Sequence, residues 1–234
     1  MEKVIKSTAT VVKHTGSHYI ISELPRWELI PAVVRGKLRL SGGNTTNPIA
    51  VGDKVEYSVN VDENGKAVSE AVILSVYPRS NYVIRKSTNL SRQSHIIASN
   101  LDRAFLVVTL DFPQVKLPFL DRLLVTCEVY NVPATIVLNK CDLYGPEHED
   151  MRVAFHEIYE GAGYPIIEVS AHTGEGVDLL RDVVSGKVLP DGTPNEEYDP
   201  SKPVVSLFSG VSGVGKSSLI KALDPALEPR VGEI

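Results

Sequence analysis

Gly210-Val211-Ser212-Gly213-Val214-Gly215-Lys216-Ser217 is the stretch that decides the fold, because it matches the pattern GxxxxGK[ST] at every fixed position. The apolar run at 204–208 before it predicts a strand, and the spacing at 217–223 predicts a helix. Such a turn surrounds an anion with backbone N–H groups and the positive end of a helix dipole. We therefore expect a phosphate-binding loop, with Lys216 on the β- and γ-phosphates of a nucleotide and Ser217 on Mg²⁺.

The chain before this loop alternates between two kinds of apolar pattern from about residue 100 onward. Continuous apolar runs predict buried strands, and helical spacing predicts amphipathic helices between them. The predicted strands are 105–110, 134–138 and 166–169, and the predicted helices are 117–130, 147–161 and 177–184. This order predicts a parallel sheet covered by helices.

Two further motifs follow predicted strands and favour guanine as the base. In Asn139-Lys140-Cys141-Asp142, the carboxylate of Asp142 can accept hydrogen bonds from guanine N1–H and N2–H₂, a donor pair that adenine lacks. Asn139 can approach the N7/O6 edge, and the Lys140 stem can lie over the ring. In Ser170-Ala171 the backbone N–H of Ala171 can donate to O6, and Ser170 can brace the aspartate. Loops at the carboxyl ends of parallel strands are where open α/β sheets bind ligands.

The first 86 residues have a different character. Short β-rich runs separated by turn residues predict about five strands and a small all-β barrel. Residues 1–97 contain 13 basic and 8 acidic residues, a net charge of +5, whereas residues 98–234 contain 11 and 21, a net charge of −10. Arg35, Lys37 and Arg39 alternate along one predicted strand, so they project from one face, which is either an ordinary solvated strand face or a candidate RNA-binding stripe.

The composition is that of an ordinary globular protein, with 43% hydrophobic and 23% charged residues. The two cysteines have no metal-ligand spacing and favour a reducing compartment. No apolar run approaches the roughly 20 residues that span a bilayer, and no secretory signal precedes the first strand. We expect a monomeric cytoplasmic protein without a membrane partner.

The order of the motifs is unusual, because Asn139 and Ser170 precede Gly210, whereas GTPases commonly carry the phosphate loop first. A permuted GTPase core behind a small basic barrel resembles the circularly permuted RsgA (YjeQ) family of small-subunit-dependent GTPases. Val51-Gly52-Asp53-Lys54-Val55, Tyr77-Pro78-Arg79-Ser80-Asn81 and Asn100-Leu101-Asp102 resemble segments of that family as well.

The resemblance implies an α+β multidomain fold: an OB-fold at 1–86, a linker at 87–99 and a circularly permuted α/β P-loop GTPase domain at 100–234. It also implies GTP or GDP with Mg²⁺, 16S rRNA contact, 30S-stimulated hydrolysis of GTP to GDP and phosphate, and a role in late maturation of the small subunit. The nucleotide site then comprises Asn139, Lys140, Cys141, Asp142, Ser170, Ala171, Gly210, Val211, Ser212, Gly213, Val214, Gly215, Lys216, Ser217 and Ser218.

The chain also departs from the family pattern. It ends at Ile234, whereas family members continue into two switch regions and a zinc-binding C-terminal domain. A DxxG match, Asp62-Glu63-Asn64-Gly65, lies in the β-rich half, and no zinc-ligand spacing occurs. We therefore expect an incomplete GTPase domain that binds guanine nucleotide and hydrolyses it poorly, with no assignable catalytic residue.

Two alternatives stay open at this point. A P-loop ATPase or kinase would make the NKCD match accidental. A non-catalytic RNA-binding protein would carry a degenerate nucleotide domain, although Gly215, Lys216 and Ser217 are intact.

Overall fold

The structure, a computed structural model, describes residues 3–39, 49–65, 67–86 and 94–227. It divides into two compact units, Met1–Leu101 with Ser201–Val205 and Asp102–Pro200 with Ser206–Ile234. The first unit is all-β and the second is α/β, and each has its own hydrophobic core.

Five strands of the first unit close into a barrel in the order β1-β2-β3-β5-β4. They are β1 (Lys3–Thr15), β2 (His18–Ser22), β3 (Ile30–Arg39), β4 (Lys54–Val61) and β5 (Ala71–Val76). β3 and β5 run parallel, while the other neighbours are antiparallel. A five-stranded closed barrel confirms the predicted OB-like fold.

Strand β4 shows why this sequence makes a barrel. Its side chains alternate between buried and partly exposed from Val55 to Val61, the period of two that a strand requires. The buried positions of all five strands meet inside the barrel, which leaves no open sheet edge. The core consists of Ala9, Val11, Tyr19, Ile21, Ala32, Ile49, Val55, Tyr57, Val59, Val61, Ala71 and Ile73.

A fully buried carboxylate, Asp53, joins distant segments of this unit. Arg79 donates from Nε to Oδ1 at 2.6 Å and from Nη2 to Oδ2 at 2.7 Å. The Ala50 N–H and the Ser99 hydroxyl donate to the same carboxylate at 2.8 and 2.6 Å. The carboxylate therefore has hydrogen-bond donors on both oxygens, as a buried charge requires.

Two asparagines extend these connections. The Asn81 amide exchanges two hydrogen bonds with the backbone of Leu101, at 2.8 and 2.7 Å. Asn100 Nδ2 donates to the Gly52 carbonyl at 2.9 Å, and Asn100 Oδ1 accepts from the Ser80 N–H at 2.9 Å. Residues 100 and 101 thus meet the segments 51–55 and 77–81, and all three come from motifs on which the family resemblance partly depends.

A hairpin of β6 (Tyr82–Lys86) and β7 (Ser94–Ser99) follows the barrel strands. The sequence interpretation placed a linker at 87–99, and the structure places a strand over the last six of those residues. The apolar run Ile96-Ile97-Ala98 is short and flanked by polar residues, so the polar composition outweighed it in the sequence. Residues 87–93 lie outside the described part of the chain.

The second unit contains a parallel sheet of four strands in the order β10-β9-β8-β11. Its elements are β8 (Arg103–Val108), α1 (Leu117–Val129), β9 (Ala134–Asn139), α2 (Glu149–Gly161), β10 (Ile166–Val169), α3 (Val177–Val184), β11 (Ser206–Ser209) and α4 (Lys216–Leu223). The last five residues of β9 are all buried, as expected of a strand covered on both faces. The predicted α/β fold is confirmed.

Strand β8 ends at Val108, two residues before the end of the strand predicted at 105–110. The Thr109 hydroxyl donates to the Pro113 carbonyl at 2.7 Å, which holds the chain in a turn there. An apolar run therefore overestimated the strand, because Leu110 is buried without belonging to it.

Two general properties of the described residues bear on function. None of their helices is long and apolar enough to cross a membrane. They also contain no group of three or more His, Cys, Asp or Glu side chains that could hold a metal ion.

Candidate functional site

Three loops meet at one edge of the α/β sheet. Residues 140–142 follow β9, residues 170–174 follow β10, and residues 210–215 follow β11. All four strands of this sheet are parallel, so their carboxyl ends lie at the same edge. This is the edge at which open α/β sheets bind ligands.

Gly215, which precedes α4, shows why the phosphate loop needs glycine. It has a φ of +88°, in the left-handed region that glycine adopts without strain. A Cβ atom at this position would lie 2.5 Å from Asn139 Nδ2. The absence of a side chain thus lets the phosphate loop touch the loop that carries Asn139.

Side chains from two motifs hold the carbonyl groups of the phosphate loop. Lys216 Nζ donates to the carbonyls of Gly210 and Val211 at 3.0 and 2.7 Å. Lys140 Nζ donates to the Gly213 carbonyl at 2.9 Å. Asn139 Nδ2 completes the set with a 2.8 Å hydrogen bond to the Val214 carbonyl.

These bonds decide where the N–H groups of the loop point. The C=O and N–H of one trans peptide unit point in opposite directions. The N–H groups of Val211, Ser212, Val214 and Gly215 therefore point away from the side chains that bind the preceding carbonyls. N–H groups of a loop that opens a helix, when their carbonyls are held elsewhere, are suited to an anion such as phosphate.

The residues that open α4 carry the remaining phosphate chemistry. Burial lowers the pKa of the Lys216 ammonium. Ser217 and the exposed Ser218 occupy the first turn of the helix, directly after Lys216. One ammonium and two hydroxyl-bearing residues therefore follow the phosphate loop directly in the sequence, within the first turn of α4.

Asn139 connects two of the three loops. It is 1% exposed, and its amide bonds both of them, while its predicted contact with the base stays a prediction. Nδ2 donates to the phosphate loop, and Oδ1 accepts the Ala171 N–H at 3.2 Å. The Asn139 amide, expected at N7/O6 of the base, and the Ala171 N–H, expected at O6, therefore bond each other in this structure.

Asp142 is the exposed member of the NKCD motif. It lies in a single 3₁₀ turn, Cys141–Leu143, which follows Lys140 at a φ of +67°. The carboxylate is therefore open to a ligand, in contrast to the buried Asn139. Cys141 is half-buried, and burial raises its pKa to about 11, so it is a neutral thiol at physiological pH.

Ser170 is fully buried and shapes its own loop. Its hydroxyl oxygen accepts hydrogen bonds from the N–H groups of His172 and Thr173 at 3.2 and 3.0 Å. The expected brace to Asp142 is not among the hydrogen bonds of these described side chains. Ser170 instead fixes the turn that presents Ala171.

Two residues that bond this edge of the sheet, Tyr144 and Phe112, belong to no sequence motif and were not predicted as site residues. Tyr144 Oη donates to the Asn139 carbonyl at 2.5 Å and accepts from the Leu110 N–H at 3.0 Å. The Phe112 carbonyl accepts a hydrogen bond from Lys140 Nζ. Both come from loops whose sequences are ordinary, so only their packing reveals them.

The candidate RNA-binding stripe is described only in part. Arg35 lies exposed on β3. The side chains of Lys37 and Arg39 fall outside the part of the chain that the structure describes. The stripe therefore stays a prediction.

Comparison with known proteins agrees with this architecture. Residues 76–190 match the family model described as RsgA GTPase. The chain is 41% identical over 224 residues to a small ribosomal subunit biogenesis GTPase RsgA of Bacteroides fragilis, covering 96% of this chain and 64% of that protein. A protein of the same name from Flavobacterium johnsoniae is 40% identical over 227 residues, 97% of this chain and 63% of that protein.

Solved structures show the same relationship. YjeQ from Thermotoga maritima aligns with a TM-score of 0.70 at 30% identity, over 97% of this chain and 68% of that one. YloQ, described as a circularly permuted GTPase, aligns with a TM-score of 0.62 at 25% identity, over 94% of this chain and 65% of that one. The chain spans about 64% of the length of the B. fragilis relative. From its motif order, its barrel and these matches, the chain belongs to the RsgA family of circularly permuted GTPases.

Proposed function

We propose that this chain binds a guanine nucleotide, with the phosphates on the loop at 210–217 and the base on Asp142. The observation that carries the proposal is the direct connection between the two motifs. Asn139 and Lys140 of the base-reading motif bind the carbonyls of Val214 and Gly213 in the phosphate loop. Two accidental matches would have no reason to share these bonds.

The specificity for guanine depends on Asp142. Its exposed carboxylate can accept two hydrogen bonds from N1–H and N2–H₂ of guanine. Adenine presents no such donor pair, so an adenine nucleotide would leave the carboxylate without partners. Ser170 and Ala171 form the neighbouring side of the pocket, and the Ala171 N–H can exchange Asn139 Oδ1 for the base O6.

The residues present also suit Mg²⁺ as a companion of the phosphates. Ser217 offers a neutral oxygen ligand in the first turn of α4, and the nucleotide supplies the anionic ones. When bound, the cation neutralises charge on the phosphate oxygens. Lys216 contributes a second positive charge after leaving the carbonyls of Gly210 and Val211.

Competition for a fluorescent GDP derivative tests this proposal. We expect unlabelled GDP to displace the probe about 100-fold more effectively than ADP, because guanine donates two hydrogen bonds to Asp142, whereas adenine would cover the same carboxylate without donating any. Equal displacement by the two nucleotides would favour the ATPase or kinase alternative. No binding of the probe would favour a degenerate domain.

For the whole protein we propose a GTP-hydrolysing factor in the assembly of the small ribosomal subunit, active in the cytoplasm. The names of the relatives and the family membership support this role. The barrel would contact 16S rRNA, since residues 1–97 carry a net charge of +5, with 13 basic and 8 acidic residues. Arg35, Lys37 and Arg39 are the proposed contact residues.

Co-sedimentation with isolated 30S and 50S subunits tests the partner. We expect binding to 30S that weakens with salt, and a smaller salt dependence after Arg35, Lys37 and Arg39 are changed to alanine. Arg122→Ala is the matched control, because Arg122 is also exposed but lies on α1 of the other unit. Equal binding to both subunits would contradict the proposed partner, and an unchanged salt dependence would contradict the stripe.

A further inference from the structure

Tyr144 ties together the ends of two neighbouring strands beside the base-reading motif. Its hydroxyl donates to the carbonyl of Asn139, the last residue of β9, at 2.5 Å. The same oxygen accepts the N–H of Leu110, just beyond β8, at 3.0 Å. Leu110 is fully buried and Asn139 is 1% exposed, so water has little access to either backbone group.

The peptide unit that Tyr144 holds is the one that turns the chain into the motif. The residue after Asn139, Lys140, has a φ of +67°, a left-handed conformation that side chains with a Cβ adopt only under constraint. The direction of the Asn139 carbonyl fixes this turn. The left-handed turn at Lys140 lets Lys140 Nζ reach the Gly213 carbonyl, and it places Asp142 in the exposed 3₁₀ helix that follows.

The phenol is held in place from its other side as well. The Tyr144 ring packs on the His148 ring, with centroids 5.7 Å apart. The Tyr144 N–H also donates to the Cys141 carbonyl at 3.2 Å, which closes the 3₁₀ turn. Burial raises the pKa of Tyr144 to about 12, so the hydroxyl keeps its proton and can donate throughout the physiological range.

We propose that Tyr144 is a positioning residue for guanine recognition, which fixes the turn at Lys140 so that Asp142 meets the base. The inference rests on the proposed guanine-nucleotide site and adds to it a residue outside the motifs. Tyr144 acts through the backbone of Asn139 and need not touch the ligand. Its removal should therefore weaken the base-dependent part of binding more than the phosphate-dependent part.

Tyr144→Phe is the direct test, because it deletes the hydroxyl and retains the ring against His148. GDP and ADP share their phosphates, so the ratio of their dissociation constants isolates the contribution of the base. We expect this ratio, which favours GDP in the unmodified chain, to fall about tenfold, equivalent to roughly 1.4 kcal/mol. The dissociation constants come from displacement of a fluorescent GDP derivative.

Tyr159→Phe is the matched control. Tyr159 is also a buried tyrosine of the α/β unit, and its hydroxyl donates to Asp121 at 2.9 Å, away from the three loops. This variant should lose a comparable amount of stability and keep the full preference for GDP. An unchanged ratio in a folded Tyr144→Phe protein, or an equal fall in both variants, would overturn the positioning role.

Amide hydrogen exchange in the unmodified chain gives a test that does not depend on a variant folding. If the Tyr144 hydroxyl and the guanine base are coupled, the base must stabilise the hydroxyl's contacts in return. At saturating ligand, GDP should slow exchange of the Leu110 amide more than ADP does. Equal protection overturns the inference, whereas failure of the chain to bind any guanine nucleotide overturns the proposed function itself.

Discussion

The contact between Gly215 and Asn139 gives the sharpest prediction about the site. In Gly215→Ala, the new methyl group would lie 2.5 Å from Asn139 Nδ2, far inside van der Waals contact. Asn139 is buried and bonded at both ends of its amide, so it cannot rotate away freely. The substitution must either move Asn139 or distort the phosphate loop.

The magnitude has two parts. A residue with a Cβ at a φ of +88° costs about 1–2 kcal/mol relative to glycine. Displacing Asn139 also leaves the buried Val214 carbonyl without its partner, which costs about 1–3 kcal/mol, whereas the Ala171 N–H is only half-buried and can bond water instead. We therefore expect Gly215→Ala to lower the free energy of unfolding by about 2–5 kcal/mol and to weaken GDP binding at least tenfold.

Gly163→Ala separates the two parts. Gly163 has almost the same φ, +89°, but a Cβ there would meet nothing within 4 Å. This control should lose about 1–2 kcal/mol from backbone strain alone and bind GDP normally. Urea unfolding and displacement of a fluorescent GDP derivative measure both quantities. If Gly215→Ala and Gly163→Ala behave alike in both assays, the argument for the Asn139 bridge is refuted.

Two further predictions concern other parts of the chain. Asp53→Asn should lower the free energy of unfolding of the barrel, measured in urea, by about 3–5 kcal/mol, because it leaves the Arg79 guanidinium without its buried carboxylate. The control Asp178→Asn breaks an exposed pair with Arg181 and should change the free energy of unfolding little. Equal effects of the two substitutions would contradict this reasoning. Alkylation of Cys141 by iodoacetamide should rise with pH toward a midpoint of about 11, since burial raises its pKa and the thiolate is the reactive form. At pH 8 only about a thousandth of Cys141 would then be thiolate, and a midpoint at the ordinary thiol pKa of about 8.5 would count against the burial of this loop.

The sequence predicted those features that depend on local spacing. Each motif, whether the phosphate loop, NKCD or Ser-Ala, is read from residues that are adjacent in the sequence, and each strand or helix is read from one short run. The fold that these local patterns predict is confirmed. The alternation in β4 likewise predicted a barrel strand, although not which strands pair to close the barrel.

Features that depend on contacts between residues far apart in the chain could not be predicted from the sequence. Asn139 bonds Val214, which lies 75 residues further along the chain, and no periodicity signals that contact. The sequence therefore predicted Asn139 as a base contact, which stays a prediction, but it did not predict the bridge between loops. Tyr144 was missed because it belongs to no motif, and only the positions of Leu110 and Asn139 give its hydroxyl partners.

Base preference in Asp142→Asn tests the central claim most directly, because it changes one group at the base and none at the phosphates. An asparagine amide can donate to the C2 carbonyl of xanthine and accept from N1–H, so it suits xanthine better than guanine. We predict that the unmodified chain and the exposed control Asp178→Asn prefer GDP to XDP, whereas Asp142→Asn prefers XDP, in competition for a fluorescent nucleotide. A retained preference for GDP in Asp142→Asn would contradict the claim that this chain recognises guanine through Asp142.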